Sequence, residues 1–106
     1  MRKTKITGMG FYIMRDETVY DTVIELAVSS YDLDRRTRKE EFMDNKHYLI
    51  KWWTKNKRNF SKYNTIASVA GLLKLHHATI IHHQKRRTPS LKYDENVECI
   101  KDFLNS

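Results

Sequence analysis

A chain of 106 residues with 20 Lys and Arg against 13 Asp and Glu, net +7, is sized for one domain and biased toward polyanionic partners. Its hydrophobic share of 40% excludes the apolar-poor composition of disordered chains, and no apolar run approaches the roughly 20 residues a membrane span needs. A single cysteine, Cys99, excludes an intrachain disulfide and a cysteine-rich zinc motif.

The start, MRKTKITGMGFYIM, is basic, but Gly8 and Gly10 interrupt its apolar run and it lacks a small-residue cleavage site, so no signal peptide is expected. With the lone cysteine this points to a soluble protein in the reducing cytoplasm. Residues 1–17 read as an N-terminal arm, with Gly10–Met14 extended because Phe11, Tyr12 and Ile13 favour strands. Residues 18–106 read as the single domain. From Thr18 to Ser30, Val19, Val23, Leu26 and Ala27 recur at helical spacing, and Asp16 and Glu17 suit the positive start of a helix. The segment YDLDRRTRK is a polar connection. A long helix from about Lys39 to Lys55 follows, with Phe42, Leu49, Trp52 and Trp53 on its buried side.

Asn64 or Thr65 can cap the next helix, in which Ile66, Val69, Ala70 and Leu73 share a face. Gly71 is placed to stop it, since glycine takes the left-handed conformation without steric penalty, and a turn is expected between Gly71 and Leu75. On a wheel of the following helix, Leu75, Ala78 and Ile81 form the packing side. His76, Thr79, His83, Arg86 and Arg87 gather on a basic side. Two short helices around a tight turn, the second presenting hydrogen-bond donors, describe a helix-turn-helix whose second helix enters the major groove of DNA. Thr88 and Pro89 then punctuate the chain, and Asp94 can cap a last helix with Val97, Ile100 and Leu104 inside. The expectation is an all-α fold of about five helices. Charge follows this organisation: residues 33–93 hold fifteen basic and four acidic groups, net +11, between a segment of net −1 and a tail of net −3.

Other chemistries fit less well. His76, His77, His82 and His83 offer imidazoles, but metal-binding helices use i, i+4 pairs, and here two adjacent pairs lie six apart with no carboxylate between. No metal and no cofactor are expected. A bland alternative makes His82 a partly buried, satisfied histidine and His83 a solvated one. Trp52 and Trp53 with Tyr48 could stack on single-stranded bases, but adjacent tryptophans diverge by about 100° on a helix, so one is expected in the core and the other at most half exposed, which favours packing over stacking. The cluster KNKRNFSK, residues 55–62, reads as a solvated loop able to meet phosphates. With no nucleophile elbow, paired carboxylates or Cys-His arrangement, the chain is not expected to be an enzyme.

From roughly Val19 to Leu104 the chain resembles the C-terminal DNA-binding domain of the bacterial replication initiator DnaA, a helix-turn-helix of Trp-repressor-like type. The matching stretches are RTRKEEFMDNKHYLIKWW, similar to the family's basic loop and long helix, and IASVAGLLKLHHATIIHH, similar to a helix-turn-helix ending in Asp-His-Thr-Thr-Val-x-His. The resemblance implies that Arg38 occupies the place of a minor-groove arginine and Lys46 that of an arginine opening the long helix. It also puts His77 at the signature histidine that reads the major groove, Thr79 at the second threonine, Ile80 at the valine and His82 at the second histidine.

His76 stands where the family has aspartate, Ala78 where it has the first threonine, and the turn is two residues longer. Aspartate can accept from cytosine N4 whereas alanine offers only apolar contact, so a base preference different from the family's is implied. No GxxxxGK[ST] loop is present, so the initiator's ATPase is not expected and the chain resembles a stand-alone module of the sort phages encode. The candidate DNA contacts are Arg36, Arg38, Lys39 and Lys46 around the basic loop, with Lys74, His76, His77, Thr79, His83 and Arg86 around the second helix. The expected partner is double-stranded DNA, in replication or transcription control, with a protein partner or homo-oligomer also open. The alternative is a protein-interaction or virion-associated helical module without specific DNA binding.

Overall fold

A computed structural model describes residues 18–105, and the expected arm, including Gly10–Met14, lies outside the described residues. Among them are six α-helices and no strand: α1 Thr18–Ser30, α2 Glu40–Asn56, α3 Ile66–Leu73, α4 His77–Lys85, α5 Tyr93–Asn96 and α6 Glu98–Asn105, with a 3-10 turn at Lys57–Asn59 after α2. The all-α architecture is therefore as the periodicities implied. None of these helices is long and apolar enough to cross a membrane.

The spine is α2, whose seventeen residues span about 25 Å at 1.5 Å per residue. It packs against α4, α5 and α6, while α1 packs against α3 and α6. Leu49, Ile50, Trp52 and Trp53 are all buried in its core face, and Phe42 is half-buried. Both tryptophans are thus core residues. Trp53 donates from Nε1 to the Tyr63 carbonyl at 2.6 Å, giving the buried indole the partner it requires, and Trp52 packs against Tyr20 and Phe60.

The face of α1 differs from expectation. Ile24, Ala27 and Val28 are buried, whereas Val19 and Leu26 are half exposed, at 49% and 52%. Both apolar sets recur at three and four, so periodicity alone does not choose between them. A distant contact does: the buried Asp21 carboxylate accepts the backbone N–H groups of Ser61, Lys62 and Tyr63, which turns that side of α1 inward. Asp44 plays a similar part on α2, accepting from Ser90 Oγ at 2.9 Å and Asn96 Nδ2 at 2.7 Å and so tying α5 and the segment before it to the spine.

The C-terminal region keeps its expected inner face, with Val97, Ile100 and Leu104 buried, but as two helices rather than one. Lys92, not Asp94, flanks the start of α5, and the break falls at Val97.

Candidate nucleic-acid interface

The connection between α3 and α4 is built from two caps and one left-handed residue. Thr65 and Ser68 form a reciprocal capping box at the start of α3: Ser68 N–H donates to Thr65 Oγ1 at 3.1 Å, and Thr65 N–H to Ser68 Oγ at 3.2 Å. Of the two expected caps, Thr65 is the one used. Gly71 does not stop α3 and is an ordinary helical residue. The stop is Lys74, at φ 57 and ψ 43. Around it Leu75 N–H returns to the Ala70 carbonyl at 2.9 Å and Lys74 N–H to Gly71 at 3.3 Å, the paired bonds of a Schellman closure. The stereochemical demand was the expected one, met three residues later by a side chain that tolerates it at some cost.

His76 then opens α4. Its Nδ1 accepts the Ala78 N–H at 3.1 Å, so in the neutral ring the proton sits on Nε2. His77 follows as the first helical residue, exposed, its ring stacked on that of His76 at 4.3 Å. The packing side of α4 is Ile80 with His83, both buried, while Leu75 and Ile81 are half-buried and Ala78 is exposed. The expected wheel is thus rotated, because α4 carries too few apolar residues to fix its own orientation.

Facing the start of α4 is the connection after α1. Leu33 anchors it in the core, with its N–H bonded to the Val28 carbonyl at 2.9 Å around Asp32, another left-handed residue. The basic residues that follow are consequently held against the α3–α4 turn. A cleft of about 660 Å³ lies between, lined by Arg36, Arg38, Lys46, Lys74, His76 and Thr79 among others. Six of the ten sequence candidates thus converge on one cleft. Arg36 and Arg38 are exposed and make no ion pair among the described residues, while Lys74 lies 3.8 Å from Asp34. Exposed Lys39 flanks the start of α2 just beyond the loop.

Three candidates need correction or relocation. Lys46 is 3% exposed, and its Nζ donates to the Arg35 carbonyl at 2.8 Å. Burial pushes its ammonium below the ordinary lysine range, with Asp34 acting in the opposite sense. Lys46 is a strut for the basic loop rather than an exposed contact. Arg86 lies at the other end of α4, lining a separate groove.

His83, expected on the basic face, is 2% exposed, and His82 is the solvated member of that pair, the reverse of the bland alternative. The partner of His83 is His47 on α2, Nδ1 to Nδ1 at 3.0 Å, so the two rings take opposite tautomers at those atoms. Burial lowers both to about 4; for His47 the next cause is the Lys51 charge, and for His83 it is His47 itself. Tyr93 packs edge-on against His47 at 5.6 Å and is pushed up to about 12, chiefly by burial. Among the described residues no group of three or more His, Cys, Asp or Glu is placed to hold a metal ion.

Sequence reasoning missed His47 and the groove near it, although Tyr48, Lys51 and Lys55 recur at three and four on α2 and lie on one side of it. The residues that complete that groove come from the C-terminal end of α4, a juxtaposition with no local signature. Comparison of the chain with protein-family models, curated proteins and solved structures gave no match, so the geometry stands by itself.

Proposed function

We propose that this chain is a double-stranded DNA-binding module, with α4 in the major groove and the loop before α2 directing Arg36 and Arg38 toward the adjacent minor groove. The observation that carries it is the cleft in which those arginines face the exposed start of α4, within the segment of net +11. A helix with its side chains is about 10 to 12 Å across, which suits a groove about 12 Å wide. His77 and the Nε2–H of His76 meet base edges, exposed Ala78 offers apolar contact to a thymine methyl, and Arg36 and Arg38 respond to the negative potential of a narrow A·T-rich minor groove. The resemblance to the DnaA C-terminal domain supports a helix-turn-helix used this way, in replication or transcription control, without a catalytic step.

The test is selection of bound duplexes from a random pool, followed by titration of a selected and a scrambled duplex at several salt concentrations. Neutralising about five phosphates gives a slope of log K against log salt near −4 to −5. Arg38→Ala weakens binding by about 1 to 3 kcal/mol on A·T-rich flanks and less on G·C-rich ones. A flat salt response overturns DNA binding; a loss indifferent to the flank reduces Arg38 to a phosphate contact.

A further inference from the structure

At the opposite end of α4 from the first cleft lies a groove of about 590 Å³ between α2, α5 and the chain leaving α4. Lys51, Lys55, Lys85, Arg86 and Arg87 line it, and none of its lining residues carries a carboxylate. The nearby Asp44 is buried and already accepts from Ser90 and Asn96. Two of the cations are held in place by carbonyls: Lys51 Nζ donates to Gln84 O at 2.6 Å, and the Arg86 guanidinium donates to Pro89 O at 3.3 Å. Lys55, Lys85 and Arg87 are exposed and make no ion pair among the described residues. Five cations outnumber the buried Asp44 and the exposed Asp94 beside the groove, so they repel one another, and an anion of repeating charge removes that repulsion.

We infer that this groove is a second binding site for the phosphodiester backbone, distinct from the cleft at the start of α4. The assignment rests on the DNA-binding function proposed above and deepens it. A single phosphate would leave most of these charges unmatched, whereas a strand presents several phosphates in series along the groove. The two basic sites sit at the two ends of a helix about 13 Å long, on the scale of the major groove, so a duplex engaged by the exposed side of α4 brings sugar–phosphate backbone to both. The contact is with backbone, so it positions the module and adds affinity without reading sequence.

The test uses the full chain carrying Lys55→Gln, Lys85→Gln and Arg87→Gln together, all at exposed positions outside the first cleft, with Lys101→Gln as a control of charge removed elsewhere. Each protein is melted, then titrated against the selected duplex, its scrambled counterpart and an oligothymidylate of equal length. The expected result is an unchanged melt, a salt slope reduced by about 2 to 3, and an affinity loss of tenfold or more that is equal on both duplexes. The control changes the slope by much less per charge. If the wild type binds duplex and the triple variant keeps its slope, or the control loses as much per charge, the second site is overturned while the DNA-binding function stands. Loss confined to oligothymidylate also overturns it, since the groove would then serve a single strand. If the wild type binds no duplex at any salt, the function itself fails first.

Discussion

Two pairs of adjacent histidines mark the two ends of α4, identical in sequence and different in environment. His76 and His77 lie in the open at its start, one capping the helix and the other stacked on it. At its end His82 is exposed while His83 is buried against His47. Residue type therefore says little by itself about these imidazoles. Where the helix turns inward, and whether another helix supplies a nitrogen 3.0 Å away, decides which ring can face a ligand and which holds the fold together.

That contrast can be broken from the buried side with the largest effect. His83→Ala removes a packed ring and leaves His47 Nδ1 without its partner, and a loss of about 2 to 4 kcal/mol is expected in chemical denaturation. His82→Ala should cost less than about 0.5 kcal/mol. Near-equal values for the two would show that the buried pair does not couple α4 to α2.

Acid sharpens the same comparison. Both buried histidines are depressed from 6.5 to about 4, so between these values the unfolded chain takes up protons that the folded chain refuses. Stability must then fall as pH falls through that window, by about 1 to 2 kcal/mol between pH 6.5 and 5 for one such group and by less than twice that for the pair, whose shifts are partly mutual. Denaturation curves at pH 7.5, 6.5 and 5 measure it. His83→Leu should flatten the profile, and His77→Ala should leave it intact.

At the exposed end the two rings separate more finely. His76→Ala loses the cap on the Ala78 N–H and should cost about 1 kcal/mol of stability in a melt. His77→Ala should melt like the wild type while its preference for the selected duplex over the scrambled one falls by about 1 to 3 kcal/mol. Equal stability of the two variants would remove the capping role of His76.

The smallest effect is a gain. A Cβ at Gly71 would meet nothing within 4 Å and the residue is helical, so Gly71→Ala should raise stability by about 0.5 to 1 kcal/mol. A destabilised variant would mean that glycine is needed there after all.

The sequence made local structure legible and left long-range structure hidden. The end of α1 at Ser30 was readable to the residue and α2 to within one, because repeated apolar positions over three or more turns leave little choice of period. The inner residues of the last segment, Val97, Ile100 and Leu104, were readable for the same reason, although its division at Val97 was not. Gly71 misled because a left-handed stop is a conformational demand rather than a residue, and Lys74 can satisfy it. Among the candidate contacts, Arg36 and Arg38 were grouped with His76 and Thr79 only through the family resemblance, because nothing local joins the loop to a turn that α2 and α3 separate from it. His83 and Lys46 went astray because their burial depends on partners 36 and 11 residues away, His47 and the Arg35 carbonyl.

The Asp21 carboxylate adds a consequence in time. Its backbone partners lie 40 to 42 residues further along the chain, and closing a loop of that length costs roughly 3 kcal/mol of chain entropy before any bond repays it. A contact of this separation is expected to form after the local caps and turns of α3 and α4, as are the similarly distant ties of Asp44 to Ser90 and Asn96. Asp21→Asn, which weakens these bonds, is expected to raise the unfolding rate more than it lowers the folding rate in stopped-flow measurements.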